Sequence, residues 1–70
     1  MTIRLKTVTS DCKEIFMECG GATASVTTWA NQEGASLMLH GKGDSLRMAG
    51  ALRWEEIDMV IAALAAARAL

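Results

Sequence analysis

The last seventeen residues, from Trp54 to Leu70, constrain the fold more than any other part of the chain. The acidic residues Glu55, Glu56 and Asp58 come first, the uncharged residues 59–67 follow, and the basic residue Arg68 comes near the end. Acids at the start and a base at the end of a helix interact favourably with its dipole, so this order predicts an α-helix over residues 54–70. Because its middle carries no charge, we expect protein to cover more than one side of it.

At about 100° per residue, the apolar residues of this helix form two stripes on opposite sides. We call one the large stripe and expect it to lie on a sheet; its members are Ile57, Val60, Ile61 and Leu64. We call the other the small stripe, and it occupies the side that is polar in an ordinary monomer; its members are Met59, Ala63, Ala66 and Leu70. Because small residues let helices approach closely, we expect the small stripe to pair with its own copy. The alternative is an exposed alanine face, which high helix propensity alone explains.

The residues before the helix alternate between apolar and polar side chains, and turn residues separate the runs, which is typical of β-strands. Gly20 and Gly21 between two such runs predict a two-residue hairpin, because its turn needs positive φ angles. Proline is absent and the connections are short, which favours sequential antiparallel neighbours. We therefore predict five strands, over residues 2–9, 14–19, 22–30, 35–40 and 45–49.

A single sheet with one apolar face needs a cover, and the C-terminal helix can supply it. We predict one small α+β domain over residues 1–70, an antiparallel β-meander of four to five strands covered by one C-terminal helix. A chain of 70 residues builds only a thin core, and the sequence indicates neither a metal site nor a disulfide framework to reinforce it. Small domains of this kind often oligomerise, so we expect a homodimer or a larger homo-oligomer.

The charge and the cysteines indicate the environment of the protein. Seven basic against eight acidic residues give a net charge of −1, which does not favour strong non-specific binding of nucleic acid. Cys12 and Cys19 would lie about 23 Å apart in an extended strand, too far for a disulfide bond within the chain. The N-terminal residues lack a signal-peptide core, and no uncharged run approaches the ~20 residues that span a bilayer. We therefore expect a cytoplasmic protein with no membrane partner.

No motif in the chain predicts catalysis, a cofactor or a metal site. Neighbouring acids at the start of the helix point in different directions, and the helix dipole already explains them. Cys12, Cys19 and His40 do not have the spacing of a zinc site. The glycine-rich turn around Lys42 lacks the other parts of a phosphate-binding loop. We therefore expect a protein that is not an enzyme and carries no cofactor.

Two kinds of binding surface are compatible with the sequence. Phe16 and Trp29 fall on the same face of the predicted sheet, and exposed aromatic residues indicate a protein contact. Together with the small stripe, the expected partner-binding residues are Phe16, Trp29, Met59, Ala63, Ala66 and Leu70. The alternative partner is single-stranded nucleic acid, since bases stack on aromatic rings while cations contact phosphates; its expected residues are Arg4, Lys6, Trp29 and Arg47. Titration with a labelled oligonucleotide at low salt tests this alternative.

The segment Leu52-Arg53-Trp54-Glu55-Glu56-Ile57-Asp58, followed by Val60, Ile61 and Leu64, resembles the end of many small phage and prophage proteins. In those proteins a β-meander runs into a helix that starts with Leu-Thr-x-Glu-Glu. This chain departs from the pattern at Arg53, where threonine would cap the helix. The resemblance implies a phage or mobile-element origin. The order of strands and helix is also similar, in topology alone, to that of positive-cofactor-like single-strand-binding proteins.

Overall fold

The computed structural model describes all 70 residues as one antiparallel sheet followed by one helix. The strands are β1 (Thr2–Thr7), β2 (Lys13–Cys19), β3 (Ala22–Thr28), β4 (Gly34–His40) and β5 (Leu46–Arg53), and the helix is α1 (Trp54–Arg68). Each strand pairs with the next one along the chain, so the order in the sheet is β1-β2-β3-β4-β5. The predicted α+β meander with a C-terminal helix is confirmed.

The register of the strands gives the sheet one apolar face and one polar face. Paired residues lie on the same face, and successive residues of a strand lie on opposite faces. Pairing runs across the sheet from Ile3 to Met17, Ala24, Leu39 and Met48. The same face, which we call the apolar face, also carries Leu5, Ile15, Val26, Leu37 and Leu52. The opposite, polar face carries Arg4, Lys6, Glu14, Phe16, Glu18, Ser25, Thr27, Ser36 and Met38.

The turns explain where the first strands end. Gly20 and Gly21 have φ angles of 59° and 87°, as the predicted two-residue hairpin requires. The first strand, however, ends at Thr7 and not at residue 9. The backbone N–H groups of Val8 and Thr9 donate to the Cys12 carbonyl oxygen at 3.0 and 3.3 Å, and Thr9 Oγ1 accepts from the Cys12 N–H at 3.1 Å. These bonds close the turn and remove both residues from the strand.

Three other predicted boundaries change by more than one residue. Residues 50–53 continue β5, with Gly50 paired to Leu37 and Arg53 paired to Gly34. The small residues in this stretch have weak β propensity, and it is the neighbouring strand that holds them extended. The third strand ends before Trp29, which lies in the turn that follows. The helix ends at Arg68, so the final residue lies beyond it.

The helix covers only part of the apolar face. α1 makes few contacts with the sheet, chiefly with β5, from which it continues without a break. Its first turns stand beside the sheet across an open groove of ≈ 270 Å³, whose walls are Val26, Leu37 and Leu52 on the sheet and Trp54, Ile57, Val60 and Ile61 on the helix. No residue of α1 is buried. The large stripe therefore faces the sheet near the start of the helix without packing tightly on it.

Candidate interaction surface

The junction between β5 and α1 sets the direction in which the helix leaves the sheet. The Trp54 backbone N–H donates to the Glu33 carbonyl oxygen at 3.1 Å, and Trp54 Nε1 donates to the Gln32 carbonyl oxygen at 3.1 Å. Gly34 and Ala35 lie beside this junction and are the two buried residues of the chain. Two hydrogen bonds from one tryptophan therefore attach the first turn of the helix to the turn between β3 and β4.

Away from this junction, apolar side chains that would fill the core of an ordinary domain are open to solvent. On the two strands farthest from the helix, Ile3 is 60% exposed, Leu5 71% and Ile15 45%, and Met17 is half-buried. We call Ile3, Leu5, Ile15 and Met17 the edge patch. On the helix, Leu64 of the large stripe is 64% exposed and Met59 of the small stripe 68%. The apolar face and the helix are thus both open along most of their length.

The total surface shows how far the chain departs from a self-contained monomer. Its accessible area is 5414 Å², whereas a folded monomer of this mass exposes about 4,200 Å². The radius of gyration is 13.1 Å, against about 11 Å for a compact domain of this length. The excess area, about 1,200 Å² per chain, is of the size that one subunit buries in a stable protein–protein interface. The chain therefore exposes more surface than a compact monomer of its mass.

The predicted partner-binding residues lie in two separate places. Phe16 is half-buried on the polar face, where the Arg4 guanidinium lies 4.5 Å from the centre of its ring. Trp29 is also half-buried, and its Nε1 donates to Ser36 Oγ at 3.2 Å. Both aromatic residues are thus held against the sheet by neighbours. The helical members of the set are exposed on α1, and the last one follows the end of the helix; they are Met59, Ala63, Ala66 and Leu70.

The residues predicted to contact nucleic acid do not converge on one patch. Arg4 and Lys6 lie on the edge strand β1, and Arg47 lies on the opposite edge strand β5, about 19 Å away across four strand spacings. Lys6 is paired directly with Glu14 on the next strand. The Arg4 side chain occupies the ring face of Phe16 on which a base would stack. The cations are therefore divided between the two edges of the sheet, with acids beside one group.

The groups with reactive or metal-binding side chains are dispersed. Cys12 and Cys19 are both free thiols, one in the turn before β2 and one at the end of that strand. No three side chains of His, Cys, Asp or Glu are grouped closely enough to hold a metal ion. The single helix falls short, in length and apolar character, of what crossing a membrane requires.

No protein family model, no curated protein and no solved structure matches the chain. The interpretation of its surface therefore comes from its own geometry.

The edge patch is the part of the surface that the sequence did not lead us to expect. The helix was expected to supply the cover of the apolar face, and the structure leaves this patch, on β1 and β2, outside the groove beneath α1. One signal in the sequence could have indicated this. Five strands make a sheet about 19 Å wide between its outer strand axes, whereas a helix with its side chains is about 10 Å across. A single helix was too narrow to cover the whole sheet.

Proposed function

We propose that this chain is a small non-enzymatic interaction protein that works as a homo-oligomer and binds a protein partner. The observation that carries the proposal is the exposed apolar surface, formed by the edge patch and the two stripes of α1. Interfaces differ from ordinary surface in having a continuous apolar centre from which charged residues are depleted. The middle of α1, over residues 59–67, and the edge patch both have this character.

The excess exposed area is large enough for its burial to stabilise an assembly. Burial of apolar area stabilises a protein by about 25 cal/mol per Å². Burial of even half of the ~1,200 Å² excess is therefore worth on the order of 15 kcal/mol, as much as the whole stability of an ordinary domain. Only two of the 70 residues are fully buried, so the single chain has a small core with which to offset the entropy of folding. Assembly supplies the burial that the single chain lacks.

For the protein partner, the small stripe is the best supported surface. Met59, Ala63 and Ala66 are exposed side by side on α1, and no charged residue interrupts them. Phe16 and Trp29 contribute less, because Arg4 and Ser36 already engage them. The free thiols of Cys12 and Cys19 support a reducing, cytoplasmic setting. A phage or mobile-element origin is supported by the tail sequence alone.

Binding of single-stranded nucleic acid, the alternative function, has less support. Its cations lie on opposite edges of the sheet, and the net charge of the chain is −1. Phosphate binding needs several cations along one continuous track. The polar face instead places Glu14 and Glu18 next to its basic edge strand.

Sedimentation equilibrium over low to high micromolar chain concentration tests the proposal. We expect the wild-type chain to have at least twice its monomer mass. Leu5→Gln places a polar group on the edge patch and should weaken the assembly, whereas Lys6→Gln, its neighbour on the polar face, should leave the mass unchanged. A wild-type chain that stays monomeric at high micromolar concentration, with a folded circular dichroism spectrum, would contradict the proposal.

A further inference from the structure

We propose that a second copy of this chain completes the apolar face, and that it does so with its helix. In this arrangement the last part of each α1, from Leu64 to Arg68, packs on the edge patch of the other copy, while Ile57, Val60 and Ile61 keep facing their own sheet. The inference rests on the proposed homo-oligomer and specifies its interface.

The width of the sheet shows that a second helix is needed. The two outer strand axes are about 19 Å apart, and a helix packed on a sheet covers about 10 Å, or roughly two strands. The chain's own helix stands over the part of the apolar face that carries Val26, Leu37 and Leu52, on β3, β4 and β5. The apolar side chains of β1 and β2 are left without a cover. A second helix would fit the space that remains.

The chain cannot readily supply that second cover from its own helix. The Trp54 backbone and indole N–H groups donate to the carbonyl oxygens of Glu33 and Gln32, in the turn between β3 and β4, which are at least two strands away from β1. To reach the edge patch, α1 would have to break these bonds and abandon its own groove. The helix of another copy can reach the edge patch while it keeps its own Trp54 hydrogen bonds and its own groove.

The edge patch of one copy and the last part of α1 of the other copy match in chemistry and number. The edge patch offers Ile, Leu and Met side chains without a charge, and residues 62–67 of α1 are Leu and Ala only. Leu64 takes no part in the groove that α1 forms with its own sheet, and it is 64% exposed. Each chain carries one edge patch and one such helix end. A dimer with a two-fold axis therefore makes both contacts at once and leaves no free patch to which a third copy could bind.

The area is that of an obligate dimer. An excess of about 1,200 Å² on each chain gives a total buried surface of about 2,400 Å² when two copies close on each other. Permanent homodimers bury about 2,000 Å² or more. In this dimer the small stripe remains on the outside, where it is free to bind the protein partner and does not pair with its own copy.

Disulfide trapping between two different single-cysteine chains tests the arrangement. Both chains carry Cys12→Ser and Cys19→Ser; one also carries Leu5→Cys and an affinity tag, and the other carries Leu64→Cys. After mixing and mild oxidation, we expect a covalent heterodimer that mass spectrometry identifies by its bridge. Ile3→Cys with Arg68→Cys, one turn after Leu64 on the same side of the helix, provides a second pair, so that one unfavourable distance does not decide the result.

Ala63→Cys is the matched control, because it is adjacent to Leu64 but points about 100° away around the helix. It should not form a bridge with the Leu5→Cys chain. A bridge between two Ala63→Cys chains would show pairing through the small stripe, and an internal bridge in one chain carrying both Leu5→Cys and Leu64→Cys would show that α1 covers its own patch. Either result overturns the inference. A dimeric wild type in which neither trapping pair forms also overturns the inference, but it leaves the proposed function standing. A monomeric wild type contradicts both the inference and the proposed function.

Discussion

Gly34 is the residue at which one added methyl group should do the most damage. It is buried beside the junction of β5 and α1, and a Cβ there would overlap the Leu52 carbonyl oxygen. The same Cβ would stand 2.9 Å from Arg53 Cα and 2.9 Å from Trp29 Cζ3. Because two of these three neighbours belong to the backbone, they cannot move aside without displacing β5. The requirement at this position is for space and not for an unusual backbone angle.

We expect Gly34→Ala to destabilise the protein by about 2–4 kcal/mol, as overpacking against backbone does. Urea unfolding at one fixed chain concentration measures the change in free energy of unfolding. Gly50→Ala is the matched control, since a Cβ at that position meets nothing within 4 Å. It should be neutral or slightly stabilising, because alanine restricts the unfolded chain more than glycine does. Equal losses at the two positions would show that the close approach at Gly34 is not the cause.

At the scale of the element, the start of α1 is only half capped. Glu56 Oε1 accepts a hydrogen bond from the Arg53 backbone N–H at 2.8 Å, which is one of the two bonds of a capping box. The other bond needs an acceptor on the side chain at position 53, and a guanidinium group has none. The departure from the threonine of the phage-type pattern therefore has a definite structural consequence.

Arg53→Thr should complete the cap and stabilise the protein by about 0.5–1 kcal/mol. Thermal unfolding followed by circular dichroism, again at fixed concentration, measures the gain. Arg53→Ala shortens the side chain without adding an acceptor, so it should bring no comparable increase. If alanine stabilises as much as threonine, the gain comes from removing arginine and not from capping.

The elements show clearly what local sequence determines and what it does not. The five-stranded meander could be predicted, because the alternation of apolar and polar side chains along an extended chain is a local property. The end of β5 was not, because residues 50–53 have weak β propensity and are held extended by pairing with β4. The position of α1 depends on bonds between Trp54 and the carbonyl groups of Gln32 and Glu33, far away along the chain. No local pattern carries that information.

The candidate interaction surface likewise has local features, which the sequence predicts, and features that depend on distant parts of the chain. The two stripes of α1 could be predicted from helical periodicity, and the helix indeed carries them on an exposed element. The edge patch was missed as a binding surface, because its residues look like ordinary core positions until the width of the sheet is compared with that of one helix. Which strand residues are buried depends on how many helices pack on the sheet, and that number is a property of the whole molecule.

For the whole molecule, the central claim is that folding depends on assembly. A chain that exposes Leu5, Leu64 and Met59 to solvent would gain further apolar burial on association of two copies. If the folded state is a dimer and the unfolded state is separate chains, mass action stabilises the folded state as the chain concentration rises. A monomeric domain shows no such dependence.

The melting temperature of the wild-type chain, measured over a hundredfold range of chain concentration, tests this claim most directly. A dimer gains about 2.7 kcal/mol over that range, which should raise the melting temperature by on the order of 10 °C. A reversible transition whose melting temperature is the same at every concentration would contradict the account.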